Sequence, residues 1–355
     1  MDERLIELYN LELQHLRETA GEFAQEFPKV AGRLALDPKQ VCPDPYVERL
    51  LEGFAWLAAR VHLKMDAEFP RFTQALLETV YPHYLSPVPS MTVVRFEPEA
   101  NESALADGVV VPRGSLLRGN VGKGSLTACT FQTAHDVRLL PVRIAEAQYM
   151  TRELGGLNLP PDLHAKAALR LKLETTQPIP FKKIALDPLV LFLRGADELP
   201  ALLYEQLFAR RTALVLRSPA ERGKTLAVLP AESIRRVGFS EAEGLLPPSP
   251  RSFEGYRLLR EYFAFPQRFL FAGLGGFAAT LQQCNIQQLE LVVVFKDADP
   301  RLENRVNASS FELFCTPAIN LFPKQLDPIP LSDRFSEFHV VADQTRPLDF
   351  EIFQV

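Results

Sequence analysis

The 355-residue chain has few cysteines, a single tryptophan and no large excess of either charge. Its four cysteines, Cys42, Cys129, Cys284 and Cys315, are scattered, with no CxxC pair and no histidine at ligand spacing. That argues against a zinc site and fits small core residues in a reducing compartment. Lysine and arginine number 39 against 44 aspartates and glutamates, a net charge of −5. Such a balance argues against nucleic acid as the main partner, because phosphate binding needs clustered cations. Long apolar runs are also missing. LELVVVF from Leu289 is far too short to span a bilayer and reads as a buried strand. The N-terminus MDERLIELYN carries acids early and does not resemble a signal peptide. These features predict a soluble, cytoplasmic protein with no direct membrane insertion.

What the chain does have is proline, 29 residues, and phenylalanine, 25, within a hydrophobic content of 47%. Apolar content this high is incompatible with disorder, so the prolines predict short strands and rigid connections. The length suits two or three domains.

Residues 2–27 contain no proline and predict a helix. Leu5, Tyr9, Leu13, Leu16, Ala20, Phe23 and Phe27 draw one apolar seam, while Leu8 and Leu11 fall on the other side at about 100° per residue. Such a helix is either sunk within its own domain or joined to a bundle with other chains. Asp44-Pro45 predicts a capped helix start, with a stripe of Val47, Leu50, Leu51, Phe54, Leu57, Ala58, Val61 and Met65 running to about Asp66. Pro70 predicts the start of a third helix carrying Phe72, Leu76, Leu77 and Val80. Pro82 and Pro87 then make the segment around Tyr81, His83 and Tyr84 a stiff joint between helices and sheet.

From Ser90 the period changes to that of strands. MTVVRFEP, GVVVPRGSLLRG and CTFQTAHDVRLLPVRIAEAQYM predict about five strands. AKAALRLKLETT alternates Ala167, Leu169, Leu171 and Leu173 against Arg170, Lys172 and Glu174. Further strands are expected at LVLFLRG, TALVLRS, TLAVLP, LELVVVF, SSFELFC, FHVVADQ and LDFEIFQV, with helices after Asp197 and near SFEGYRLLREYFAF. AGLGGF reads as a glycine-rich turn. The expected fold class is α+β. Residues 1–89 form a helical, bundle-forming segment, 90–195 a β-rich domain and 196–355 a second α+β domain. A chain that ends on a strand pattern is expected to continue.

No chemistry stands out. The histidines His15, His62, His83, His135, His164 and His339 form no HxxxH pair, and no G-x-S-x-G elbow is present. GNVGKGS lacks the P-loop spacing, and AGLGGF is not a dinucleotide fingerprint. No catalytic residue, cofactor or metal is assigned. Two alternatives stay open: a hydrolase or transferase with a dispersed site near His135 or His83, and a nucleic-acid or membrane-surface binder around Arg210, Arg211, Arg235 and Arg236, which the acidic balance counts against.

Six segments in order carry a resemblance: ERLLEGFAWLAARVHLKMDAEFPRF, ALLETVYPHYLSPVPSM, FQTAHDVRLLPV, EGYRLLREYFAFPQRFLF, CTPAINLFPKQLDPI and TRPLDFEIF. Together they resemble the TssF (VasA/ImpG) family of type VI secretion baseplate subunits along nearly the whole chain. The resemblance implies a non-enzymatic wedge protein, similar to those of contractile phage baseplates. It implies assembly with TssG, through it with TssK, with a second TssF copy and possibly with TssE, at the cytoplasmic side of the inner membrane of a Gram-negative bacterium. It also implies a helix bundle. From periodicity, the candidate contacts are Leu5, Leu13, Leu16 and Phe23 toward one helix, with Tyr9 on the same seam, and Leu8 and Leu11 toward another.

Overall fold

The computed structural model describes residues 3–34, 44–99, 105, 107–121, 127–219, 223–248, 252–330, 333–334, 336–347 and 349–354, with Glu68 and Phe69 as helix backbone only. Cys42 and most of GNVGKGS lie outside the described residues. Contacts divide the chain into Met1–Leu85 and Ser86–Val355.

The first unit is a helical hairpin. Helix α1 spans Glu3–Glu26, the short α2 Pro28–Ala31 and α3 Pro45–Val80. Asp44 caps α3 by accepting from the Tyr46 amide at 2.9 Å, and Pro45 sits in the first turn, where no amide is needed. The expected break before Pro70 is absent: α3 is one helix of 36 residues. Proline removes one ladder bond and crowds the preceding turn, yet the helix continues on both sides, and the Thr73 hydroxyl donates to the Pro70 carbonyl at 3.0 Å. Arg17 pairs with Glu48, and Tyr9 meets Trp56 edge-on at 5.9 Å, so α1 and α3 run antiparallel. Ala55 and Ala59, one turn apart on α3, are 0% exposed. Small side chains there let the two backbones approach closely. A 3₁₀ turn, Pro82–Leu85, closes the unit at the predicted joint.

The second unit is built from antiparallel sheets. Its first strands are β1 Met91–Arg95, β2 Val109–Val111, β3 Leu116–Arg118, β4 Thr130–Thr133, β5 Val137–Leu139 and β6 Val142–Met150. There follow β7 Ala167–Thr175, β8 Leu189–Leu193, helix α4 Leu199–Glu205, β9 Arg211–Ser218, β10 Lys224–Pro230 and β11 Ile234–Val237. The remainder is α5 Glu254–Ala264, β12 Phe271–Leu274, α6 Ala278–Leu281, β13 Gln288–Phe295, β14 Phe311–Glu312 and β15 Cys315–Ile319. The sheet orders are β10-β9-β13-β7-β6, β11-β12-β8-β14, β1-β15-β4-β3 and β2-β5. With the N-terminal helices they make an α+β fold.

Strand β7 keeps its expected alternation. Leu169, Leu171 and Leu173 enter the main core with Leu214, Leu216, Leu291 and Val293. The opposite face holds a mosaic of ion pairs, including Arg143–Glu174 at 2.9 Å and Arg217–Glu290 at 3.2 Å. Because β6 and β7 share a sheet with β9 and β13, the division expected between residues 195 and 196 falls inside one contact unit. The two strands expected in GVVVPRGSLLRG are present and do not pair with each other: β2 pairs with β5 and β3 with β4. AGLGGF is half strand: Ala272, Gly273 and Leu274 lie in the buried β12. FHVVADQ and LDFEIFQV form no strand among the described residues. Side chains hold that region instead: Arg346 donates to the Thr127 hydroxyl at 3.0 Å, and Lys324 lies 4.3 Å over the Phe350 ring.

Candidate protein interface

The hairpin uses its apolar residues in two ways. On α1, Leu13 is buried at 8% exposure, and Leu5, Leu8, Tyr9 and Leu16 are half-buried. Tyr9 packs on Trp56 of the same chain, so at least part of the α1 seam is used inside the hairpin. Leu11 is 64% exposed, and Phe23, also exposed, stacks with Phe27 at 5.2 Å.

On α3 the faces are reversed from the usual pattern. The small Ala55 and Ala59 point inward. Leu50, Phe54, Leu57, Val61, Met65, Phe72, Leu76 and Val80 are all exposed, from 43% at Val80 to 76% at Leu50. At about 100° per residue these eight side chains fall on one side, making a single ridge along the helix. In a lone helix the stripe reads as core-facing. The alanine pair four residues apart was the available sign that α1 approaches from the other side.

The sequence-level alternatives look different in three dimensions. His135 lies in the second unit with its backbone amide on the Thr316 hydroxyl at 3.0 Å and its ring edge-on to Phe271 at 5.6 Å. Burial pushes its pKa down to about 4; Glu243 works against that shift, and Arg268 and Arg113 add to it. Glu243 is already occupied: one carboxylate oxygen accepts from the Gly238 amide at 3.0 Å, the Ser240 amide at 3.0 Å and the Ser240 hydroxyl at 2.8 Å. Those bonds hold the Glu243 carboxyl below its ordinary pKa against the opposing effect of burial. His83 sits in the 3₁₀ turn of the first unit. An open groove of about 780 Å³ in the second unit, between Pro87–Ser90 and Asn320–Lys324, has no histidine in its lining.

Of the four arginines, Arg211 shares the Phe208 ring with Arg236, lying 5.3 Å over it. Arg210 bonds Asp297 at 3.1 Å, and Arg211 bonds the carbonyls of Ala231 and Leu207 at 2.7 and 3.1 Å. Arg236 lies 5.5 Å over the Phe208 ring, and Arg235 is exposed. Among the described residues no group of three histidines, cysteines or acids could hold a metal, and no helix is long and apolar enough to cross a membrane.

Sequence reading did not find the polar core around α5. Glu261 accepts from the Leu245 and Leu246 amides at 3.1 and 2.9 Å and pairs with Arg257 at 3.0 Å and with Arg268. Burial draws the Arg268 pKa down to about 10. The outward face of α5 is apolar, with Tyr256, Leu259 and Phe263 exposed. A helix whose polar residues face inward defeats any reading that places apolar residues inside.

The chain thus joins, in sequence, a helical hairpin with an outward apolar ridge to a β-rich unit. The chain resembles a chain of a TssK-TssF-TssG type VI secretion baseplate subcomplex, with a TM-score of 0.66 and 27% identity, over 84% of this chain and 54% of that one. The family model described as "Type VI secretion system, TssF" matches residues 1–355, and the chain belongs to that family. It is 52% identical over 354 residues to type VI secretion system component TssF1 of Pseudomonas aeruginosa PAO1, covering 99% of this chain and 57% of that relative. The chain therefore spans a little over half the length of the relatives it matches.

Proposed function

We propose that the chain is a structural subunit of a type VI secretion baseplate that works by holding neighbouring chains, without turning over a substrate. The observation that carries this reading is the α3 ridge. Eight large apolar side chains exposed along one helix offer on the order of 800 Å², the area one partner contributes to a standard stable interface. Left in water, such a surface is an association site or a liability.

The proposed partners are TssG and, through it, TssK, the companions named with TssF in the solved subcomplex. A second copy of this chain and TssE are further neighbours in this reading. The place of assembly is the cytoplasmic side of the inner membrane. Residues 1–89 serve as the bundle-forming segment. Within it Leu5, Leu8, Tyr9, Leu13 and Leu16 brace α3, while Leu11 and Phe23 remain available to a further helix. A hydrolase reading centred on His135 draws no support from Glu243, the carboxylate that acts on it electrostatically, because one oxygen of that group is already bonded by Gly238 and Ser240.

The test is co-expression with TssG of wild type and of the double variant Leu57→Asp, Phe72→Asp. Both positions are exposed, so helicity by circular dichroism should be unchanged while co-purification is lost. Full recovery of the complex with the variant would refute the ridge as the interface.

A further inference from the structure

The open sheets of the second unit differ in how their edges are protected. Edge strands β6 and β10 are interrupted by bulges, at Ile144/Glu146 and Thr225/Ala227. β6 also carries the exposed Arg143 and Glu146, and β10 ends on Pro230. β11 carries Arg235 and Arg236, β14 has two residues, and β2, β3 and β5 have three each. Bulges, charge, proline and shortness keep an edge from pairing with another chain. Strand β1 lacks these devices. Met91–Arg95 pairs with β15 over five consecutive positions without a shift, and its one charge is the terminal Arg95.

The register shows which groups the free edge of β1 offers. The Asn320 amide donates to the Ser90 carbonyl at 2.8 Å, and the Phe96 amide to the Phe314 carbonyl at 3.0 Å. Bonded positions alternate in an antiparallel pair, so Ser90, Thr92, Val94 and Phe96 turn their backbone toward β15. Met91, Val93 and Arg95 turn theirs away. Among the described residues none of these three amides has an acceptor. Of their carbonyls, that of Val93 accepts from the Thr92 hydroxyl at 3.4 Å.

An extended chain is what repeats donors and acceptors at this spacing. Its side chains follow from the two faces of β1. Met91 packs against the cluster of Ala134, Leu245, Leu246 and Ile319, so residues set beside Met91 and Val93 continue an apolar layer. Thr92 and Val94 on the other face suit β-branched neighbours. Five residues are too few to hold two copies of this chain together, since a standard interface takes about 20–30 from each side. They suit a segment tethered to a partner bound elsewhere, whose local concentration is high.

Resting on the reading of the chain as a structural subunit, we propose that β1 is a strand-addition site. Its occupant is an extended, uncharged segment, rich in valine, isoleucine or threonine, of a polypeptide that this chain already holds by another surface.

The experiment measures residue-resolved amide hydrogen exchange on the whole chain, alone and co-purified with TssG and TssK. In the chain alone, Val93 and Arg95 are expected to exchange fast, while Thr92 and Val94, bonded to β15, exchange slowly. In the complex, Val93 and Arg95 should slow by about tenfold or more. Val93→Pro removes the outward donor and leaves the β15 ladder in place. Arg95 of that variant should exchange in the complex as fast as in the chain alone, with Thr92 and Val94 still slow to report an intact fold. If the variant does not fold, the wild-type comparison decides by itself. A complex that forms with Val93 and Arg95 unslowed refutes the added strand and leaves the subunit reading standing. Arg95 still slow in a folded Val93→Pro complex refutes it too. Slowing in the chain alone that grows with concentration makes a second copy the occupant and overturns the tethered partner. If no complex forms, the subunit reading fails and takes this one with it.

Discussion

Arg268 and Glu261 form an ion pair in which both side chains are 0% exposed. Arg257 joins them, and two backbone amides complete the Glu261 carboxylate. Removing one member leaves the others charged in a site closed to water. Glu261→Ala is expected to cost about 3–5 kcal/mol, the range for breaking a buried pair. Urea unfolding should show a lower midpoint with little change in slope. A combined Glu261→Leu/Arg268→Met variant should lose less than Glu261→Ala, since it removes both charges.

His135 makes stability depend on pH. Its folded pKa is about 4, below the usual 6.5, because burial disfavours the cation. Between those values the unfolded chain binds the proton and the folded chain does not. The contribution is therefore fully present above pH 6.5 and is lost as pH falls to 4, up to about 3 kcal/mol. Unfolding midpoints measured from pH 7 to pH 4 should decline, and His135→Phe should decline less. The lowered Glu243 pKa pulls the same way, beginning at lower pH, as that carboxylate gains its proton in the unfolded chain first.

The hairpin predicts opposite fates for two nearby leucines. Leu13→Glu buries a charge against α3 and is expected to destabilise by about 2 kcal/mol or more. Leu11→Glu, on the outer side, should stay within about 0.5 kcal/mol. Thermal melts followed at the helical signal separate the two.

Ala59→Leu forces bulk between α1 and α3, at a cost of about 1–3 kcal/mol. Trp56, the only tryptophan of the chain, sits at that contact. Its emission should shift to the red as the helices part. An unchanged spectrum with unchanged stability would mean that the helices have room to spare there.

Elements set by local chemistry were legible in the sequence. The Asp44-Pro45 start needs only its own cap, and β7 declares its two faces by alternation. What was hidden depends on residues far along the chain. Which of two apolar faces of α3 meets α1 is decided by Ala55 and Ala59, whose small size carries little hydrophobic signal. Glu261 looks like a surface acid on α5 until Arg268 and the Leu245 amide arrive from elsewhere. FHVVADQ has strand composition, but a ladder needs a neighbour, and composition cannot supply one. For the candidate interface, periodicity singled out residues of α1, whereas most of the large exposed apolar side chains of the hairpin lie on α3, where a stripe read in a lone helix looks core-facing.

Strand β1 pairs with β15, Met91 opposite Ile319 and Arg95 opposite Cys315. The ribosome makes the first of these strands long before the second. At roughly 5–20 residues per second, β1 has no ladder partner for tens of seconds. During that interval its hydrogen-bonding edge is open to any passing chain. A cell making this protein therefore has to shelter a nascent segment until the distant strand emerges, and holding chaperones should be found on translating ribosomes that carry it.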